Sequence, residues 1–108
     1  MAQPIHISAA AKVLAMSKDN PPAARVPQNV PVSFETMDCF SNSLRSEQDL
    51  FSSVGWECIN PATGPVFIEG AEPGDMLRVD ILDIQVAEQG VVAAAPGFGE
   101  MPDSVAET

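Results

Sequence analysis

Asp38, Asn60 and Glu69 carry most of the chemistry that this sequence offers. Asp38 follows an apolar alternation: Val30, Val32, Phe34 and Thr36 interleave with Pro31, Ser33, Glu35 and Met37, the period of a strand with one buried face. Continued by two residues, the alternation sets Asp38 on the inner side of the strand's end. An acid there is costly unless it is hydrogen-bonded, paired or bound to a cation. That makes Asp38 a candidate metal ligand; the plainer reading makes it the cap of the loop behind it, held by the Ser41 or Asn42 amide. Asn60 opens the run Asn-Pro-Ala-Thr-Gly-Pro, residues 60–65. Its prolines fix the backbone and leave several amides to face a ligand, unless the run is simply a rigid connection. Glu69, Glu72 and Asp75 crowd the next turn, a set suited either to a hard cation such as calcium or to solvent.

The familiar catalytic constellations are absent from these residues. There is no Gly-rich phosphate loop, no Gly-x-Ser-x-Gly elbow, no His-Glu-x-x-His run and no Cys-x-x-Cys pair. His6 is the sole histidine and reads as a half-exposed strand residue. Cys39 and Cys58 define no disulfide framework and read as reduced thiols acting as small buried hydrophobes.

Charge narrows the partners. Lys and Arg number 5 against 15 Asp and Glu, a formal charge of -10 that repels nucleic acid and anionic membrane surfaces. No apolar run approaches the length of a membrane span, and the first sixteen residues lack the basic start of a signal peptide, so the expected location is cytoplasmic. A chain of 108 residues has room for one domain with one modest core, and the acidic tail over 100–108 is expected to fray.

The elements that must position the candidate residues are short strands, because ten prolines and seven glycines break the chain repeatedly. Ile5–Ile7 and Lys12–Met16 are either two edge strands or one bent strand, and Arg25-Val26 begins another ahead of a turn at 27–29. Val30–Asp38 is the clearest strand and Val66–Ile68 a short one. Pro73-Gly74 has the chemistry of a type II turn. Met76–Val86 reads as the longest strand: Leu77, Val79 and Ile81 share one face and Leu82, Ile84 and Val86 the other, so a bulge or a change of sheet is expected near Ile81. Residues 43–54 allow one weak helix, with Ser46 and Asp49 as a capping box. The expected fold is mainly β, an antiparallel sandwich or partly open barrel with at most one short helix. Its expected core contains Val32, Phe34, Phe67, Leu77, Val79 and Ile81.

Several segments in consecutive order carry a resemblance: SKDNPPAARV at 17–26, FETMDCFSN at 34–42, INPATGPVFIEGAEPGD at 59–75 and LRVDILDI at 77–84. Together they resemble the N-terminal part of the acetamidase/formamidase family over residues 17–99. The resemblance implies metal-assisted hydrolysis of small amides such as formamide and acetamide; the expected cofactor is a divalent metal, zinc, with calcium as the alternative that the turn acids would suit. It marks Asp38, in the Asp-Cys pair, as the metal-proximal acid, with Asn60 and Glu69 as second choices for catalytic roles. Family chains are considerably longer, and their later, histidine-containing segments have no counterpart here. The implied partners are a small amide substrate and either further copies of this chain or a complementing C-terminal chain. The alternative function is a non-catalytic β-domain with an assembly or small-ligand role.

Overall fold

The computed structural model describes residues 4–50, 54–96, 102–104 and 106. Six short strands form in them: β1 (Ile5–Ile7), β2 (Lys12–Val13), β3 (Ala24–Val26), β4 (Val32–Phe34), β5 (Ala62–Thr63) and β6 (Val66–Ile68). They pair as three two-stranded sheets, β1 with β4, β2 with β5 and β3 with β6. The first three strands are thus matched in order by the last three. The β class expected from the sequence holds, without closure into a barrel. Pairing is mixed: β1–β4 and β3–β6 are parallel and β2–β5 is antiparallel.

Local chemistry explains the breaks between strands. Ser8 to Ala11 turn the chain between β1 and β2, with the Ala11 amide donating to the Ser8 carbonyl at 3.0 Å. Pro21 and Pro22 precede β3, where no ladder donor is needed until the Ala23 amide meets the Pro65 carbonyl at 2.7 Å. Asn29, at φ 61°, turns the chain from β3 towards β4. The expected type II turn is present: Gly74 has φ 97°, and the Asp75 amide donates to the Glu72 carbonyl at 3.0 Å.

The expected helix at 43–54 is not formed in its described part, and residues 51–53 lie outside the described residues. The capping pair instead closes an isolated turn. The Asp49 carboxylate accepts from the Arg45 amide at 2.8 Å and the Ser46 amide at 3.1 Å. A cap does not offset a serine-rich sequence with little to bury. One 3-10 turn forms at Trp56–Cys58, another at Pro102–Ser104. Most of the tail over 100–108 lies outside the described residues.

The core differs from the expected one. Buried apolar side chains are Ile7, Ala9, Val26, Leu44 and Ala95. Val32 is half-buried, whereas Phe34 is 45% exposed and Phe67 41%. Alternation identifies the apolar face of a strand but not whether a second layer covers it, and each of these sheets is only two strands wide. Phe67 finds a substitute cover in its ladder partner, with the Arg25 guanidinium 4.0 Å from the ring centroid. Cys39 is exposed and Cys58 half-buried, so neither acts as the small buried hydrophobe its type suggests.

The largest correction concerns residues 76–86. Leu77, Val79 and Ile81 are 65%, 71% and 75% exposed, and the segment joins no ladder among the described residues. The strand pattern is real, but the described residues offer this segment no strand to pair with. The consequence shows in the molecule's dimensions, 52 × 30 × 22 Å with a radius of gyration of 17.4 Å. A compact domain of 100 residues has about 13 Å.

The two-strand sheets predict an uneven response to truncation. Ile7→Ala, at a site 4% exposed, should destabilise the chain by about 2–5 kcal/mol. Phe34→Ala, across the same ladder but 45% exposed, should cost less than Ile7→Ala. Urea unfolding of the two variants checks the order; equal losses would mean that Phe34 is covered in solution.

Candidate active site

Asp38 is placed by a loop and not by strand alternation, because β4 ends at Phe34. Its Oδ1 accepts from the Phe40 amide and the Asn42 amide, both at 2.9 Å. Asn42 reciprocates, its Oδ1 accepting from the Asp38 amide at 3.1 Å. The Ser41 amide donates to the Asp38 carbonyl at 3.1 Å, closing the turn. Ser41 and Asn42 both hold left-handed backbone, φ 54° and 60°, which the asparagine tolerates better than the serine. The aspartate side chain thus satisfies amides that this tight turn leaves without backbone partners, and one face of its carboxylate is spoken for.

The same turn is stitched to the 3-10 segment. The Asn60 amide donates to the Cys39 carbonyl at 2.8 Å, and the Ser41 hydroxyl donates to the Cys58 carbonyl at 2.5 Å. Asn60, at φ 57°, turns the chain into the proline-flanked run that contains β5. Asp38 and Asn60 are therefore brought to one junction, twenty-two residues apart in sequence but separated by Cys39 alone in hydrogen-bonded connection.

Glu69 belongs elsewhere. It follows β6, where its amide donates to the Val26 carbonyl at 2.9 Å and its own carbonyl accepts from the Gln28 carboxamide at 3.1 Å. Its side chain is exposed. In the neighbouring turn the Asp75 carboxylate accepts from the Glu72 amide at 2.9 Å, so Asp75 caps its own turn. Among the described residues, no three His, Cys, Asp or Glu side chains converge as a metal site. Asp38 thus offers one carboxylate towards a metal, short of the three or four protein ligands that zinc takes.

Glu35 is the residue that sequence reasoning overlooked, since it reads only as a polar partner in the alternation. Its amide donates to the Ile7 carbonyl at 2.9 Å, its carbonyl accepts from the Thr63 hydroxyl at 2.7 Å, and its Oε1 accepts from the Ala9 amide at 3.1 Å. It fastens β1, β4 and β5 at the base of the Asp38 loop. His6 stands 4.0 Å from its other oxygen, with both side chains more than half exposed. An open groove of about 520 Å³ runs along β2 and β5, lined by Val13, Met16, Lys18 and Thr63 among others. Asp38, Asn60 and Glu69 do not line it.

Residues 14–104 match the sequence profile of the Acetamidase/Formamidase family. The crystal structure of an acetamidase from Bacillus halodurans superposes with a TM-score of 0.90 at 43% identity, over 95% of this chain and 35% of that one. A recombinant predicted acetamidase/formamidase from the thermophile Thermoanaerobacter tengcongensis gives 0.88 at 43% identity, over 96% of this chain and 35% of that one. The chain spans about a third of the length of these proteins. No curated protein matches it.

The two roles open to Asp38 separate by substitution. Asp38→Ala removes both acceptor bonds of the loop and should destabilise the chain by about 1–3 kcal/mol. Asp38→Asn keeps an oxygen acceptor and should cost less than half as much. Chemical denaturation of the two variants checks this, and an alanine variant as stable as the parent would remove the capping role.

Proposed function

The chain belongs to the acetamidase/formamidase family, and we propose that it is the N-terminal part of a metal-assisted hydrolase of small linear amides, incomplete as a catalyst by itself. The observation that carries the reading is the family match over residues 14–104, in register with solved acetamidase structures at 43% identity. The formamide and acetamide class of substrate follows from that membership. The reading fits the acidic balance of the chain, which suits a small neutral amide and disfavours polyanions.

In this reading the residues of the Asp38 junction take distinct parts. Asp38 presents the carboxylate oxygen that its loop amides leave open, held in a fixed direction because Oδ1 is clamped by Phe40 and Asn42. Asn60, its backbone amide pinned to the Cys39 carbonyl at the same junction, is the residue that would orient an amide substrate through its carboxamide. Glu69 is the second acid, an exposed carboxylate able to carry protons to and from solvent. A divalent metal, zinc before calcium, would polarise the amide carbonyl and lower the pKa of bound water. The described residues fit such an ion only as a part of its donor set, so the remaining ligands lie outside them.

An ammonia-release assay on formamide and acetamide tests the proposal. The chain alone, with zinc added, should release none above background. Co-produced with a polypeptide corresponding to the rest of the Bacillus halodurans acetamidase, it should release ammonia, and Asp38→Asn should lower that rate by about a hundredfold, the upper range for groups that support a metal site. A complete assembly that hydrolyses neither amide sinks the reading. An Asp38→Asn assembly of full activity removes Asp38 from the site while leaving the family assignment intact.

A further inference from the structure

Residues 62–65 form a rail fixed by main-chain bonds. The β2–β5 ladder pairs Lys12 with Thr63 and Val13 with Ala62. The Gly64 amide donates to the Ala11 carbonyl at 2.8 Å, and the Pro65 carbonyl accepts from the Ala23 amide at 2.7 Å. These bonds use the main chain and leave the Thr63 side chain to bond elsewhere. Its hydroxyl donates to the Glu35 carbonyl at 2.7 Å, twenty-eight residues back. The Glu35 amide is itself held by the Ile7 carbonyl at 2.9 Å, just past the end of the β1–β4 ladder. One threonine hydroxyl therefore joins two sheets where the chain leaves β4 for the Asp38 loop.

A second bond, from the Asn60 amide to the Cys39 carbonyl at 2.8 Å, crosses between the same two stretches. Residues 35–39 and 60–63 are thereby two sides of a closed frame, with Thr63–Glu35 at one end and Asn60–Cys39 at the other. Asp38 and Asn60 occupy the Cys39 end. The sides are stiff for local reasons: Pro61 has a fixed φ, and the Asp38 carboxylate is clamped by the Phe40 and Asn42 amides. One hydrogen bond at a corner fixes a distance but lets the two sides pivot. A second bond at the far end removes that freedom. We propose that Thr63 is a positioning residue of the amide-hydrolase site, its hydroxyl closing the frame that sets the Asp38 carboxylate against Asn60. The inference rests on the reading of Asp38 and Asn60 as site residues, and it adds the group that fixes their relative placement.

Glu35 is exposed and Thr63 half-buried, so water replaces the hydroxyl at the carbonyl when the bond is lost, and folding is little affected. The bond matters for direction instead. A misplacement of about 1 Å can lower a catalysed rate by about a hundredfold. Threonine suits the task because its branched side chain is stiff at χ1 and holds the hydroxyl in one orientation. Valine keeps that shape and the strand preference while removing the donor; serine keeps the donor.

The test compares Thr63→Val and Thr63→Ser in the 108-residue chain. Amide exchange measured by NMR reads Asn60, whose amide closes the far end of the frame, and Phe40 and Asn42, whose amides hold the Asp38 carboxylate. In Thr63→Val these amides should exchange about tenfold faster, the loss of roughly one hydrogen bond of local protection. The Glu69 amide, bonded to the Val26 carbonyl in another sheet, should keep its rate, and the urea midpoint should stay in place. Thr63→Ser should match the parent. In the ammonia-releasing assembly with the remaining Bacillus halodurans acetamidase polypeptide, Thr63→Val should lower kcat by about tenfold or more and Thr63→Ser should restore it. Unchanged exchange at Asn60 in Thr63→Val overturns the proposal. So does equal acceleration at Glu69, which marks general loosening, a serine variant that behaves as the valine one, or a valine assembly of full activity. A parent assembly that hydrolyses neither amide counts against the hydrolase reading, while the exchange rates still support or overturn the frame itself.

Discussion

The rest of the structure hangs from three short ladders that join residues 5–26 to residues 32–68. Each ladder brings together segments roughly twenty-five to fifty residues apart, so loop closure is unfavourable for all of them and no single ladder is long enough to offset it alone. They succeed as a set because the segments match in order, and because Ile7 and Val26 combine a place in a ladder with nearly complete burial. Glu35 adds a lateral tie, joining the ends of β1 and β4 to Thr63 of β5. What lies outside this weave, from residue 71 to 90, is exposed along its whole length.

How much of this was legible in the sequence depends on which physical signal each feature rests on. Strand positions at Ile5–Ile7, Arg25-Val26 and Val66–Ile68, and the turn at Pro73-Gly74, were readable because period and turn chemistry are local. Pairing was not, since nothing in the alternation of Val32 and Phe34 says that their neighbour is a parallel β1. Exposure of Phe34, Phe67, Leu77, Val79 and Ile81 was hidden for a related reason: periodicity records which face a strand turns inward and is silent on whether polypeptide is there to receive it. The expected helix at 43–54 was over-read from its cap, where Asp49 and Ser46 do bond as expected but enclose only a turn.

The candidate site was legible to the same depth. Asp38 stood out as an acid following an apolar strand, and the loop-capping alternative named the Asn42 amide that now bonds it at 2.9 Å. The junction with Asn60 was not visible, because it is built from main-chain groups of Cys39 and Cys58, whose side chains carry the only chemical label. Glu69 was linked to Asp38 by family resemblance alone, and its place behind β6 gives no direct connection. Capping and catalysis are not rivals in such a loop. A carboxylate with one oxygen held by two amides loses rotational freedom, and that fixed direction is what a ligand or proton carrier needs from its support.

Parallel pairing adds a physical reason to read the unburied faces and the unfinished site together. Parallel strands ordinarily lie within sheets covered on both sides, and a two-stranded sheet in water is marginal at best. Here two of the three ladders are parallel, and Phe34 and Phe67 on their strands face solvent. The same weave holds Asp38 through its loop amides, yet among the described residues no three His, Cys, Asp or Glu side chains gather as a metal site. Polypeptide beyond the described residues supplies, in the proposed reading, both the cover for these sheets and the rest of the site. Under the proposed reading, assembly of the core and assembly of the catalyst are therefore one event, in which burial of apolar faces supplies the free energy that brings the remaining ligands to Asp38.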